Sequence, residues 1–92
     1  LFSFAQNDSF LSGRVVDESG KGIELVNIGV TNLKKTLGTT SDAKGYYKLS
    51  LPSEKELKII ISCIGYASQE MSLTLKKGEK KKIDFTLKAS AR

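Results

Sequence analysis

The stretch Leu57–Tyr66, LKIIISCIGY, decides the fold that the sequence predicts. Seven of its ten residues are apolar or aromatic. They would fall on both faces of an extended chain, because the side chains of a strand alternate with a period of two. A buried helix is the rival interpretation of any short apolar run. Three consecutive β-branched residues, Ile59, Ile60 and Ile61, followed by Gly65, favour a strand. We therefore interpret the stretch as the central strand of a small all-β domain, covered on both faces.

The length and composition limit the chain to one domain. Its 92 residues, 39% apolar and 27% charged, are typical of a globular domain and of neither a disordered nor a membrane-spanning chain. The net charge of +5 permits an anionic partner without requiring one. Histidine, the most frequent general base, does not occur in the sequence. The single Cys63 is predicted to be a small buried hydrophobic residue and not a reactive thiol.

The first residues resemble the end of a secretory signal peptide. Ser3 and Ala5 are small residues at the −3 and −1 positions of a cleavage site before Gln6, behind an apolar remnant. An ordinary apolar strand or a cloning artefact would give the same pattern. We interpret residues 1–9 as a signal remnant and leader, and we expect an exported protein. Residues 10–88 would then form the domain, and residues 89–92 would begin a linker.

Short apolar segments separated by turn residues continue along the chain. Most alternate between apolar and polar residues, as expected for half-buried strands. Glycine, aspartate and serine fill the connections, and Pro52 ends one strand because it cannot donate to a sheet. Strands at this spacing are typical of a β-sandwich. The pattern predicts seven strands, at residues 10–17, 25–31, 36–40, 46–51, 57–66, 70–75 and 83–87.

The sequence predicts no catalytic residues, no metal site and no cofactor. Its carboxylates lie mostly in turns or at strand ends, and their spacing does not indicate a pair held in a shared cleft. The segment 42–45, DAKG, resembles part of a calcium loop. However, Lys44 stands where an oxygen ligand is required. We therefore expect a protein that is not an enzyme.

The lysine-rich segment 76–82 is the first candidate for a partner surface. Binding of phosphate or of lipid headgroups is one interpretation. The other is a solvated hairpin loop that keeps an edge strand from pairing with other chains. Nucleic-acid binding is not expected, because the segment contains no aromatic residues on which bases could stack. The candidate residues are Lys76, Lys77, Lys80, Lys81 and Lys82.

The tyrosines are the second candidate. Tyr46 and Tyr66 would suit a carbohydrate-facing platform. Tyr47, in contrast, alternates with Leu49 and Leu51, so we expect its ring in the core.

Four stretches occur together in a characteristic order. They are Gly13-x-Val15-x-Asp17-x-x-Gly20, Ile23-Glu24-x-Val26-Asn27-Ile28, Thr39-x-Ser41-Asp42-Ala43-Lys44-Gly45-Tyr46-Tyr47 and Ile61-Ser62-x-Ile64-Gly65-Tyr66. In this order they resemble the carboxypeptidase-regulatory-like domain family. One departure is Gly22, which stands where the family usually has proline. It leads us to expect an altered turn before the second strand.

The resemblance implies a seven-stranded, transthyretin-like (prealbumin-like) or Ig-like β-sandwich without catalytic residues. Such domains occur as periplasmic N-terminal extensions of TonB-dependent outer-membrane nutrient receptors, ahead of a plug and a barrel. With the signal remnant, we expect a non-enzymatic interaction domain of this kind on the periplasmic side of the outer membrane. Its partners would be the receptor's plug and barrel, or other periplasmic or outer-membrane proteins. The alternatives are an accessory domain of a secreted metallocarboxypeptidase and a surface carbohydrate- or protein-binding module.

Overall fold

The computed structural model describes residues 9–90, and in this range it contains strands and no helix. The strands form two four-stranded sheets, so the predicted all-β sandwich is confirmed. The predicted signal remnant at residues 1–5 lies outside the described residues. The strands are β1 (Ser9–Val16), β2 (Asn27–Val30), β3 (Leu37–Thr40), β4 (Tyr46–Leu51), β5 (Glu56–Ser62), β6 (Gln69–Thr74), β7 (Lys80–Lys82) and β8 (Phe85–Thr86).

The first sheet is organised around β1. Strand β4 pairs with one side of β1 in the antiparallel direction. On the other side β7 and β8 pair with β1 one after the other, both parallel to it. The second sheet is antiparallel, with the order β3-β2-β5-β6. The predicted central strand β5 is therefore an interior strand of the second sheet, whereas β1 holds the first sheet together.

The burial of β5 differs from the prediction that both of its faces are covered. Leu57, Ile59 and Ile61 are buried, but the alternating residues are exposed or half-buried. The second sheet packs against the first on one face only, and its other face is open to solvent. The strand also ends earlier than predicted, at Ser62, and Ile64 in the following turn is fully exposed. Cys63 is half-buried at the edge of the core instead of being buried within it.

The facing sides of the two sheets enclose one hydrophobic core, as the length of the chain predicted. Every strand except β3 and β7 contributes at least one buried apolar side chain, and the connecting segments contribute others. Burying one Leu or Ile side chain stabilises a domain by about 1.5–3 kcal/mol, so this core is the main source of stability. Its buried members are Leu11, Val15, Ile23, Val26, Ile28, Val30, Tyr47, Leu49, Leu51, Leu57, Ile59, Ile61, Leu73, Leu75, Phe85 and Leu87.

Three predicted elements are wrong in their bounds, and the strand count changes from seven to eight because residues 80–82 form a strand of their own. Leu25 lies in a turn with a φ of 63° and is 64% exposed, so β2 begins only at Asn27. The lysine-rich segment 76–82 is not one loop, because its last three residues form β7 alongside Phe10–Ser12. The final predicted strand at residues 83–87 shortens to β8, since residues 83–84 interrupt the pairing with β1.

This interruption lies directly against Gly13 of β1. A Cβ atom at Gly13 would lie 1.8 Å from the carbonyl oxygen of Ile83, so this position has no room for a side chain. The same carbonyl accepts a hydrogen bond of 2.6 Å from the Tyr47 hydroxyl. Next to it, Oδ1 of Asp84 accepts a hydrogen bond of 2.9 Å from the backbone N–H of Arg14. These contacts fix the break between β7 and β8 on the middle of β1.

A second close contact joins the β1–β2 connection to the β3–β4 turn. A Cβ atom at Gly22 would lie 1.9 Å from the carbonyl oxygen of Lys44, which explains why proline is not accommodated here. Between the same two segments, the buried Ser41 hydroxyl donates to the Ile23 carbonyl at 2.6 Å and accepts from the Val26 N–H at 2.9 Å. Glycine thus permits a close backbone-to-backbone contact before the second strand, and the altered turn expected there stays a prediction.

We predict that Gly13→Ala lowers the free energy of unfolding by about 3 kcal/mol, because the added carbon would force the Ile83 backbone away from β1. The matched control is Gly29→Ala, where the added carbon would lie 3.3 Å from the Leu37 carbonyl oxygen. That change should cost less than about 1 kcal/mol, since alanine is preferred to glycine inside a strand. Urea unfolding of both variants measures the difference, and equal losses would contradict the importance of this contact.

Candidate interaction surfaces

Asp17 holds the turn that follows β1. Its Oδ1 accepts hydrogen bonds from the Ser19 hydroxyl at 2.7 Å, the Ser19 N–H at 2.9 Å and the Lys21 N–H at 3.0 Å. Hydrogen bonds to the charged form of a carboxyl group favour that form. The bond from the Ser19 hydroxyl, followed by that from the Lys21 N–H, therefore lowers the pKa of Asp17 below its usual value. This carboxylate shapes a turn, as predicted from its position.

Asp42 has the same role in the β3–β4 turn, the segment that resembles part of a calcium loop. Its Oδ1 accepts hydrogen bonds from the N–H groups of Lys44 and Tyr46, both at 2.9 Å. That oxygen is therefore already engaged by the backbone of its own loop. Among residues 9–90, no three His, Cys, Asp or Glu side chains are grouped closely enough to hold a metal ion.

The three tyrosines lie in different surroundings. Tyr47 is buried between the sheets, as predicted, and its burial, followed by the negative charge of Asp84, raises the pKa of its hydroxyl. Tyr46 lies on the first sheet and is half-exposed, with the Arg14 guanidinium 5.3 Å from its ring centroid. Tyr66 follows β5 of the second sheet and packs partly against the core. Tyr46 thus lies in a strand of the first sheet and Tyr66 in the connection between β5 and β6, and a platform that combines them stays a prediction.

The lysines of segment 76–82 divide into two groups. Lys76 and Lys77 lie in the loop between β6 and β7, whereas Lys80, Lys81 and Lys82 make up β7 itself. All five are exposed. Strand β7 is at the edge of the first sheet, and charged residues at such an edge disfavour pairing with other chains. The lysines of β7 therefore suit the protective role considered for the segment.

Three loops meet at one end of the sandwich and bring further lysines to this region. We name this the lysine end and define it as residues 31–36, 52–55 and 75–79. The Glu54 N–H donates to the Leu75 carbonyl at 2.7 Å, which joins the second loop to the third. The Asn32 side-chain amide donates to the Glu56 carbonyl at 3.0 Å, which ties the first loop to the start of β5. The sequence alone gives no sign of this grouping, because the loops are about twenty residues apart in the chain.

A groove of about 550 Å³ lies at the lysine end, between the first and second loops. Half-buried apolar side chains and exposed lysines both line it. The groove therefore combines an apolar floor with a positively charged rim. Its lining residues are Asn32, Leu33, Lys34, Lys35, Leu37, Pro52 and Lys55.

Strand β6 presents an edge of the second sheet. It pairs with β5 on one side, and no strand among the described residues pairs with its other side. The hydrogen bond from the Thr31 N–H to the Lys58 carbonyl shows that Lys58 directs its backbone groups toward β2. The backbone N–H and C=O groups of successive residues point to opposite sides of a strand. The backbone groups of Leu57, Ile59 and Ile61 therefore point to β6 and bond to it. The registered partners then place the backbone N–H and C=O groups of Glu70, Ser72 and Thr74 on the open side.

Only the beginning of this open side is covered. The Gln69 side-chain amide donates to the Thr86 carbonyl at 2.6 Å, which links the start of β6 to β8 of the other sheet. Just before it, the Ala67 N–H donates to the Lys88 carbonyl at 2.8 Å. The exposed edge therefore runs from Glu70 to Thr74.

Comparisons with known proteins agree with this architecture. The family model described as a CarboxypepD_reg-like domain matches residues 11–92. No curated protein matches the sequence. In the described part of the chain, no helix is long and apolar enough to cross a membrane.

Solved structures show the same fold at low sequence identity. The Bacillus anthracis TIE protein has a TM-score of 0.69 and 18% identity, covering 87% of this chain and 16% of that protein. The 3-chlorocatechol 1,2-dioxygenase from Rhodococcus opacus 1CP has a TM-score of 0.67 and 15% identity, covering 89% of this chain and 60% of the enzyme. Catechol 1,2-dioxygenase from Pseudomonas arvilla C-1 has a TM-score of 0.70 and 12% identity, covering 91% of this chain and 53% of the enzyme. The chain spans only part of each protein, and these likenesses concern the fold alone.

Proposed function

The chain belongs to the CarboxypepD_reg-like domain family, as its sequence resemblance indicated, and from this membership we propose that it is a periplasmic interaction domain of a TonB-dependent outer-membrane receptor. The family is a regulatory, non-catalytic module with an Ig-like fold. The match over residues 11–92 carries the proposal, because it includes nearly every residue of the sandwich. The dioxygenases share only the fold, so their chemistry is not transferred to this chain.

Two observations support the receptor context. Domains that resemble this one occur as N-terminal extensions of such receptors, ahead of the plug and the barrel. The small residues Ser3 and Ala5, set among apolar ones, also match the pattern recognised by signal peptidase. An exported domain of this kind would lie on the periplasmic side of the outer membrane. Its partners would be the receptor's own plug and barrel, or other periplasmic or outer-membrane proteins.

The open edge of β6 supplies a means of contact. An extended segment of a partner can add to a sheet edge as a further strand, with main-chain hydrogen bonds providing much of the affinity. Glu70, Ser72 and Thr74 are alternate residues of β6, and each directs a backbone N–H and C=O to the open side. Glu70 is the only charged residue on the strand. By contrast, strand β7, which lies at an edge of the first sheet, consists of three lysines. The β6 edge is thus less protected against strand addition than β7 is.

The receptor context predicts what the gene encodes after Arg92. Sequencing the reading frame in the source DNA should reveal a plug domain, followed by a long series of alternating segments of about ten residues, as in outer-membrane barrels. A zinc peptidase unit in the same frame would instead support the accessory-domain alternative. A stop codon soon after Arg92 would favour a free-standing binding module. Either of the last two results would refute the receptor proposal.

The edge contact predicts a difference between two substitutions at Ser72. Ser72→Pro removes the outward N–H but leaves the β5–β6 hydrogen bonds intact, whereas Ser72→Ala removes only the hydroxyl and retains the N–H. In the full-length receptor, Ser72→Pro should reduce growth on the transported nutrient, and Ser72→Ala should not. Both variants must reach the outer membrane at the wild-type level, as measured by immunoblotting. Equal growth of the two at that level would exclude the β6 edge as the contact.

A further inference from the structure

The two ends of the sandwich carry opposite charge. The three loops of the lysine end contain five lysines and two glutamates. The connections at the other end, residues 17–26, 41–45 and 63–68, together with the segment 87–90 that is hydrogen-bonded to them, contain four carboxylates and three lysines. The net charge of +5 is therefore not spread evenly over the molecule. A charge separation of this kind orients a protein in front of a charged surface.

The two glutamates of the lysine end are engaged by loop backbone. Oε1 of Glu79 accepts a hydrogen bond of 2.8 Å from the Lys76 N–H. Oε2 of Glu54 accepts one of 3.3 Å from the Lys77 N–H. These carboxylates hold the third loop in place and fix it beside the second. The lysine side chains of both loops stay exposed around them.

The groove at this end adds apolar surface among the lysines. Leu33 and Leu37 are half-buried and pack against the core, and Pro52 lies beside them. Lys34, Lys35 and Lys55 are exposed around this apolar floor. An apolar patch surrounded by positive side chains matches the chemistry of an anionic lipid layer, in which charged headgroups overlie acyl chains.

We propose that the lysine end docks on the surface of a membrane that contains anionic phospholipid. The positive residues of the three loops are all lysines, and arginine is absent from them. Sites that recognise one carboxylate or phosphate in a fixed geometry usually employ the planar arginine fork, whereas lysine acts as a flexible point charge. Five flexible charges on three separate loops suit a surface with many mobile anions better than a single anionic group on a protein partner. This docking is independent of the β6 edge and of the parent protein.

Cosedimentation with lipid vesicles tests the proposal. The 92-residue chain should bind vesicles of phosphatidylcholine with phosphatidylglycerol and should not bind vesicles of phosphatidylcholine alone. Binding should weaken steeply as salt is raised, because exposed charges are screened. The variant K34Q/K35Q/K55Q should lose roughly 100-fold in apparent affinity, at roughly fivefold per lysine near an anionic surface.

The matched control is K21Q/K44Q/K88Q, which removes the same charge from exposed lysines outside the lysine end. It should retain vesicle binding within about threefold, since charges farther from the surface than a Debye length contribute little. Equal losses in the two triple variants would overturn the proposal and indicate attraction by net charge alone. Equal binding to both vesicle types would also overturn it. So would binding to polyglutamate without binding to anionic vesicles, which would assign the lysine end to an acidic protein.

Discussion

The contact between Gly13 and the Ile83 carbonyl is the constraint on which the rest of the first sheet depends. Because Gly13 has no side chain, the chain can bend at residues 83–84 while it lies against β1. The bend separates β7 from β8, and each then pairs with a different part of β1. The Tyr47 hydroxyl holds the same carbonyl from within the core. This arrangement places Phe85 and Leu87 inside the sandwich while the lysines of β7 remain outside.

The same path of the chain along β1 also determines which surfaces stay accessible to partners. The segment that contains β8 crosses to the start of β6 and covers only its first residue, so the edge from Glu70 to Thr74 stays open. The crossing from β6 to β7 forms the third loop of the lysine end. A partner strand along β6 and a membrane surface at the lysine end would therefore occupy different faces. In the periplasmic setting that we propose, the domain would be able to make both contacts at once.

Features that depend on local pattern were predictable from the sequence. The alternation at residues 46–51 gave the bounds of β4 and the burial of Tyr47 correctly. Features that depend on contacts between distant segments could not be predicted from the sequence. The apolar run of β5 gave no sign that one face is open to solvent. Nor did the lysine-rich segment 76–82 indicate that its end pairs with Phe10–Ser12, about seventy residues earlier.

Amide hydrogen exchange along β6, measured by NMR on the ¹⁵N-labelled chain, tests most directly whether the sandwich presents an open edge. The register predicts alternation, with slow exchange at Gln69, Met71 and Leu73, which bond to β5. Glu70, Ser72 and Thr74 should exchange fast, because their N–H groups face solvent. Protection of all six amides to the same degree would contradict the account, since it would mean that the edge proposed for partner binding is already covered.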